Sequence, residues 1–237
     1  MSDHKIPIVI VHTGFKDYLK VNLEVTSNTN KIYLIGDKSV SKLGNIRNVT
    51  WLNINDYNQT LEIKKLENNF VNYSSNDHSF ELFCFIRVYI ISEFMKKKGL
   101  KIVFHSDSDN ILLRNVNKIM DHPSTAYHMN SNFENPMRMS DSIHNSYITE
   151  QFLEKFFEIC NKIYVDKDTS LIKDKIQYHK KQPGGICDMT IYYLMRSEKL
   201  LPVVNLNEPT DGKVFINNFQ RSDGWETRQQ YQMSGDV

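Results

Sequence analysis

The stretch that most constrains the fold is 101–115, KIVFHSDSDNILLRN. Ile102, Val103 and Phe104 form a short apolar run with β-branched character, which reads as a strand buried on both faces. Such a run is typical of a parallel sheet sandwiched by helices. The run ends in a polar turn with two carboxylates one residue apart, Asp107 and Asp109. Ligands of open α/β sheets sit beyond the carboxyl ends of the strands, where these aspartates fall. In an extended segment residues i and i+2 point to the same side, so both carboxylates are expected to face one ligand. Paired hard oxygen anions suit Mg²⁺ or Mn²⁺, shared with substrate phosphates.

The opening of the chain fits the same architecture. Residues 6–11 form an apolar strand ending in the turn His12-Thr13-Gly14. Residues 15–25 suit a helix, and 31–35 (KIYLI) a second strand closed by Gly36-Asp37. This is a βαβ unit, whose right-handed crossover makes the two strands parallel. On its own, His12 reads as a polar loop residue. Residues 49–52 are a weaker third strand, and 53–73 is polar with some helical spacing in Leu61, Leu66 and Phe70. The spacing predicts a helix over 80–98, with Asp77 or Ser79 as cap and Lys96, Lys97, Lys98 and Gly99 at its end. Its apolar stripe is Phe80, Phe83, Cys84, Ile91 and Phe94, and Arg87 falls on that stripe. A guanidinium facing a core requires a carboxylate or a ligand, so Arg87 is either a structural ion pair or a ligand contact.

Beyond residue 115 come a loop and short helix through Asp121-His122-Pro123, then a strand over 125–129 (TAYHM). Residues 130–145 read as a long polar loop, of the kind that serves as a substrate lid. A second clear helix spans 149–163, followed by a charged and mostly surface segment over 165–181. In QPGGICD (182–188), Gly184-Gly185 makes a tight turn that lets backbone approach a ligand closely. Asp188 opens the next helix, either as its N-cap or as a catalytic carboxylate. Short strands are expected over 203–206 and 213–216, with an aperiodic tail over 217–237.

Composition bounds the function. The 237 residues carry 29 basic and 28 acidic side chains, which argues against a nucleic-acid or membrane-surface binder. No apolar run approaches the roughly 20 residues of a membrane span, and the start lacks signal-peptide architecture. Cys84, Cys160 and Cys187 fit neither a disulfide framework nor a zinc spacing, so reduced thiols in a cytoplasmic setting are expected. The Asn- and Lys-rich composition fits an AT-rich genome, bacterial or viral; the cytoplasm would be a host's in the viral case.

Together these features resemble the GT-A fold nucleotide-sugar glycosyltransferases. The carrying residues are the D-x-D Asp107-Ser108-Asp109, the helix FELFCFIRVYIISEFM before it, and PGGICDMTIYYLM about seventy-five residues later. The resemblance covers roughly residues 5–200. It implies an α/β, Rossmann-like, mixed but mainly parallel sheet flanked by helices. One domain over 1–237 would comprise a nucleotide-binding half (1–115) and an acceptor-side half (116–237), as a whole protein or the catalytic part of a longer one. It further implies a metal-dependent transferase that moves a sugar from a donor, most often a UDP-sugar, to a glycan hydroxyl. Val11, His12 and Thr13 would contact base and ribose, and Arg87 would lie near the nucleotide. Asp107 and Ser108 would touch ribose or metal, and Asp109 would be the principal ligand of Mn²⁺ or Mg²⁺. Gly184 and Gly185 would line the sugar or acceptor pocket, and Asp188 would be the base of an inverting reaction.

One departure stands out. Many relatives complete the metal site with a late histidine, whereas the last histidine here is His179. Two rivals follow from the same residues. A catalytically silent relative would bind nucleotide sugar only. A haloacid-dehalogenase-type phosphatase would need D-x-D-x-[TV], but Ile111 stands where its Thr or Val would be.

Overall fold

A computed structural model of the chain describes residues 6–120, 123–129 and 137–208. Its centre is a seven-stranded sheet of order β3-β2-β1-β4-β6-β5-β7. The strands are β1 (Ile8–His12), β2 (Ile32–Gly36), β3 (Val49–Asn53), β4 (Ile102–Ser106), β5 (Ala126–His128), β6 (Ser142–Thr149) and β7 (Val204–Asn205). The pairs β1–β2, β2–β3, β1–β4 and β5–β7 are parallel, and β6 alone runs against its neighbours β4 and β5. The expected mixed, mainly parallel α/β sheet is therefore present.

Alternation along each strand divides two apolar cores. Ile8, Ile10, Phe104 and Tyr147 pack on one face with Leu19 and Leu23 of α1 (Asp17–Thr26). Val9, Val11, Val103 and Ile148 pack on the other. That face carries α2 (Leu61–Asn69), α3 (His78–Lys98), α4 (Glu150–Cys160) and α6 (Asp188–Ser197). Among the described residues no helix is long and apolar enough to cross a membrane.

The long helix α3 has clear ends. The Asp77 side chain accepts hydrogen bonds from Ser79 and Phe80 N–H, and Gly99 caps the other end at φ 64°. Its expected apolar stripe is present in part. Ile91 and Phe94 of that stripe are buried and Phe83 and Cys84 half-buried, but Phe80 is 59% exposed and Glu81, Phe85, Val88, Ser92 and Met95 are buried as well. The helix lies under α4 and α6 as well as the sheet, so from Val88 onward little of its circumference is polar and the stripe is poorly defined in sequence.

Three other expectations change. The loop over 130–145 gives way to strand β6 at Ser142, because Ile143, Tyr147 and Ile148 find the sheet's two cores; its stretch 130–136 lies outside the described residues. The segment 165–181 is mostly surface, as expected, but it is not without structure or buried charge. It contains α5 (Lys173–His179), and Lys175 is buried, its ammonium donating to Arg138 O, Met139 O and Thr190 Oγ1. Asp188 is the first residue of α6, with Cys187 in the capping position and no side-chain cap. The short strand over 203–206 is present as β7, whereas 121–122 and the expected strand and tail over 213–237 lie outside the described residues.

Candidate active site

The carboxyl ends of β1 and β4 meet at one edge of the sheet. Strand β4 ends at Ser106, and the chain turns at once, with Asn110 N–H donating to Asp107 O at 3.2 Å. The extended i, i+2 geometry expected for Asp107 and Asp109 therefore does not hold. Asp107 continues the Val103–His105 side of the strand toward α3, with its side chain 29% exposed. Asp109 sits exposed on the turn. Both still act electrostatically on His144, so they share one neighbourhood.

Long-range bonds fix this turn. Asp107 N–H donates to His144 O at 2.7 Å across the β4–β6 pair. Asn22 Nδ2 of α1 donates to Ser108 O at 2.8 Å. The reversed strand thus supplies a backbone acceptor where a parallel neighbour would have run past.

Arg87 joins the parts. Its Nη1 donates to Asp107 Oδ1 at 2.7 Å and its Nη2 to Asp188 Oδ2 at 2.8 Å. The guanidinium is 18% exposed. Burial disfavours its charge, but the Asp107 and Asp188 carboxylates outweigh that and raise its pKa well above the usual value. Reciprocally, burial would push Asp107 up, while Arg87 and then His105 hold it well below the usual carboxylate range.

Asp188 is more enclosed, its side chain 5% exposed. Oδ2 also accepts from the Tyr192 hydroxyl at 2.9 Å, and Oδ1 accepts from Met189 N–H at 2.9 Å. Both oxygens are engaged. This geometry makes Asp188 a partner of Arg87.

At the end of β1, Val11 is buried in the α3-side core and contributes packing. His12 is half-buried, its Nε2 donating to Gly14 O at 2.7 Å; Thr13 is exposed. Burial lowers the His12 pKa, against the pull of the Gly14 carbonyl, Asp37 and Asp109. Asp37, at the end of β2, accepts from Gly14 N–H at 2.7 Å and so ties the two turns together.

Gly184 and Gly185 adopt φ of 109° and 148°. A Cβ on Gly185 would stand 2.1 Å from Tyr73 O, and one on Gly184 would stand 2.6 Å from the His179 ring. The close approach they permit is to the chain's own 73–74 segment, where Gly185 pairs with Ser74. The same glycines also line a cavity of about 240 Å³.

Several residues at the site carry no signal in the sequence. His105 Nδ1 donates to Val9 O at 3.1 Å, and Nε2 lies 3.3 Å from Asp107 Oδ1, too poorly aligned for a hydrogen bond. His144 sits in what read as a loop. Its ring stacks on His128 at 4.2 Å, and its buried Nε2 makes no hydrogen bond among the described residues. Burial lowers the His144 pKa against the pull of both aspartates. Burial and then His144 bring His128 down to about 4. Period-two alternation through SIHNSYIT was the available signal, weakened by its polar members. The thiols are free, and burial pushes Cys84 up to about 12 and Cys187 up to about 11, so neither is a thiolate nucleophile at neutral pH.

No family model matches the chain, and no curated protein matches it in sequence. Among solved structures, one that it resembles is described as "PaToxG Glycosyltransferase", at a TM-score of 0.49 and 10% identity, covering 81% of this chain and 68% of that one.

Proposed function

We propose that the protein is a metal-dependent glycosyltransferase of the GT-A kind. In this reading it moves a sugar from a nucleotide-sugar donor, a UDP-sugar by the sequence resemblance, to a hydroxyl of a glycan acceptor. The observation that carries the reading is a convergence. One guanidinium binds a carboxylate 20 residues away in the D-x-D and another 101 residues away in the G-G-x-x-D segment. These are the three motifs on which the resemblance rests, and they meet at the ligand-binding edge of the sheet.

The described residues bring no three metal-ligating side chains together, so two carboxylates would be the protein's share of a divalent cation's shell. Asp109 is exposed and makes no hydrogen bond among the described residues, and on Asp107 Arg87 engages Oδ1 and leaves Oδ2 without a hydrogen bond among them. Asp109 and Asp107 would hold Mn²⁺ or Mg²⁺, with phosphate oxygens and water completing its shell. When bound, the cation supplies charge neutralisation at the departing diphosphate.

The remaining roles belong to the chain's own residues. Val11, His12 and Thr13 end the strand beside which base and ribose would lie, and Ser108 would meet the ribose. Asp188 and Asp107 hold Arg87 in place at the donor. Gly184 and Gly185 line the cavity assigned to sugar or acceptor. A base role for Asp188 would require its pair with Arg87 to open. The free thiols support a reducing, cytoplasmic setting.

The test is hydrolysis of a panel of nucleotide sugars in the presence of Mn²⁺. One donor is expected to turn over, and Asp109→Ala should slow it by about two orders of magnitude or more, as loss of a metal-holding carboxylate does. If no donor is consumed, or if the variant keeps full turnover, the reading is wrong.

A further inference from the structure

The cavity beside the double-glycine turn is lined by a carboxylate with one oxygen that neither the fold nor the Arg87 cluster uses. Glu81, in the first turn of α3, lines it and is only 1% exposed. Its Oε1 accepts from Ser74 Oγ at 2.9 Å and from Asn76 Nδ2 at 2.7 Å. Its Oε2 is buried and has no hydrogen-bond partner among the described residues. A buried carboxylate oxygen left unpaired is costly, and native proteins keep such groups where a bound partner completes them.

The lining narrows the partner. Besides Glu81 it includes Ser74, Asn76, Arg138 and Lys175. The Lys175 ammonium is already saturated by three oxygens. The cavity wall therefore carries a carboxylate whose Oε2 is buried and unpaired among the described residues, together with the guanidinium-bearing Arg138. Hydroxyl groups both donate and accept, so a polyol can satisfy both; an ammonium only donates and would face two cationic residues. At about 240 Å³ the space is below the range of drug-sized pockets and fits one small ring. The cavity also adjoins the Arg87 cluster, because Cys187, which lines it, directly precedes Asp188. Cys84 and Cys187 each lie within electrostatic reach of both Glu81 and Asp188.

We propose that this cavity is a monosaccharide subsite in which Glu81 Oε2 accepts a hydrogen bond from one ring hydroxyl and so sets which sugar is taken. The inference deepens the transferase reading and rests on it for the choice of a sugar among polyols.

The test uses the full chain and three measurements. Saturation-transfer NMR with glucose, galactose and mannose at millimolar concentration reads the subsite. Titration with UDP and Mn²⁺ reads the donor site independently. A set of monodeoxy analogues of the best-bound hexose reads the contact. One deoxy position is expected to weaken binding to wild type about tenfold. Glu81→Gln should bind parent and that analogue alike, with UDP binding unchanged. A merely structural Glu81 would not erase discrimination at a single hydroxyl. Where Glu81→Gln does not fold, Arg138→Ala serves, and it should weaken hexose binding several-fold. The inference is overturned if no hexose binds. It is also overturned if Glu81→Gln keeps the discrimination, or if Arg138→Ala binds hexose as wild type does. Hexose binding without UDP binding would leave the subsite standing and remove the transferase reading.

Discussion

Arg87 shows how one residue can be legible while its role is not. A cation on an apolar stripe must be paired, and that much follows from sequence. Its partners, Asp107 and Asp188, are tertiary neighbours that no local spacing specifies. Breaking the pair has a definite consequence. Arg87→Ala should lower stability by about 3 kcal/mol, the low end for a buried ion pair because Asp107 retains some exposure, read as a fall in melting temperature. Asp107 gives a pH signature. Its folded pKa is depressed, so it contributes stability above the unfolded value near 4, lost as pH falls through the lower folded value. The acid limb of the stability profile should flatten in Asp107→Asn. Asp188→Asn separates two roles. As a holder of Arg87, its loss should weaken UDP binding and transfer together; as a base, it should abolish transfer and spare UDP binding.

Among elements, the ones best read from sequence have chemical punctuation. Helix α3 is capped by Asp77 and closed by a left-handed Gly99. Asp77→Ala should cost about 1 kcal/mol, measured by denaturant unfolding. Strands β1, β2 and β4 were legible because both their faces are buried and their runs are continuous. Strand β6 was missed because its polar residues, His144 and Asn145 among them, serve the site and break its apolar pattern. The double glycine was legible as a special turn, but its reason was not. Gly185→Ala would drive a Cβ into Tyr73 O, so it should destabilise the turn and abolish hexose binding, checked by melting and by the same NMR titration.

For the molecule as a whole, the sheet topology places the candidate site where the parallel strands β3-β2-β1-β4 meet the single reversed strand β6. The order of strands could not be read from residue patterns beyond the first βαβ unit, because pairing across long separations leaves no local trace. Glu81 belongs to the same class of omission. In sequence it is an ordinary acidic residue at the start of a helix; only the fold brings Ser74, Asn76 and the 184–185 turn around it.

The reach of Arg87 along the chain also has a kinetic meaning. Its contact with Asp107 closes a short stretch of chain, whereas its contact with Asp188 closes 101 residues. Closing the longer loop costs more chain entropy. During synthesis from the amino terminus, the first carboxylate emerges well before the second. The nascent site thus passes through a stage in which the guanidinium has one counter-charge, and the docking of α6 is what completes it. Competence of the site would then be a late event in the life of each molecule, tied to the arrival of α6.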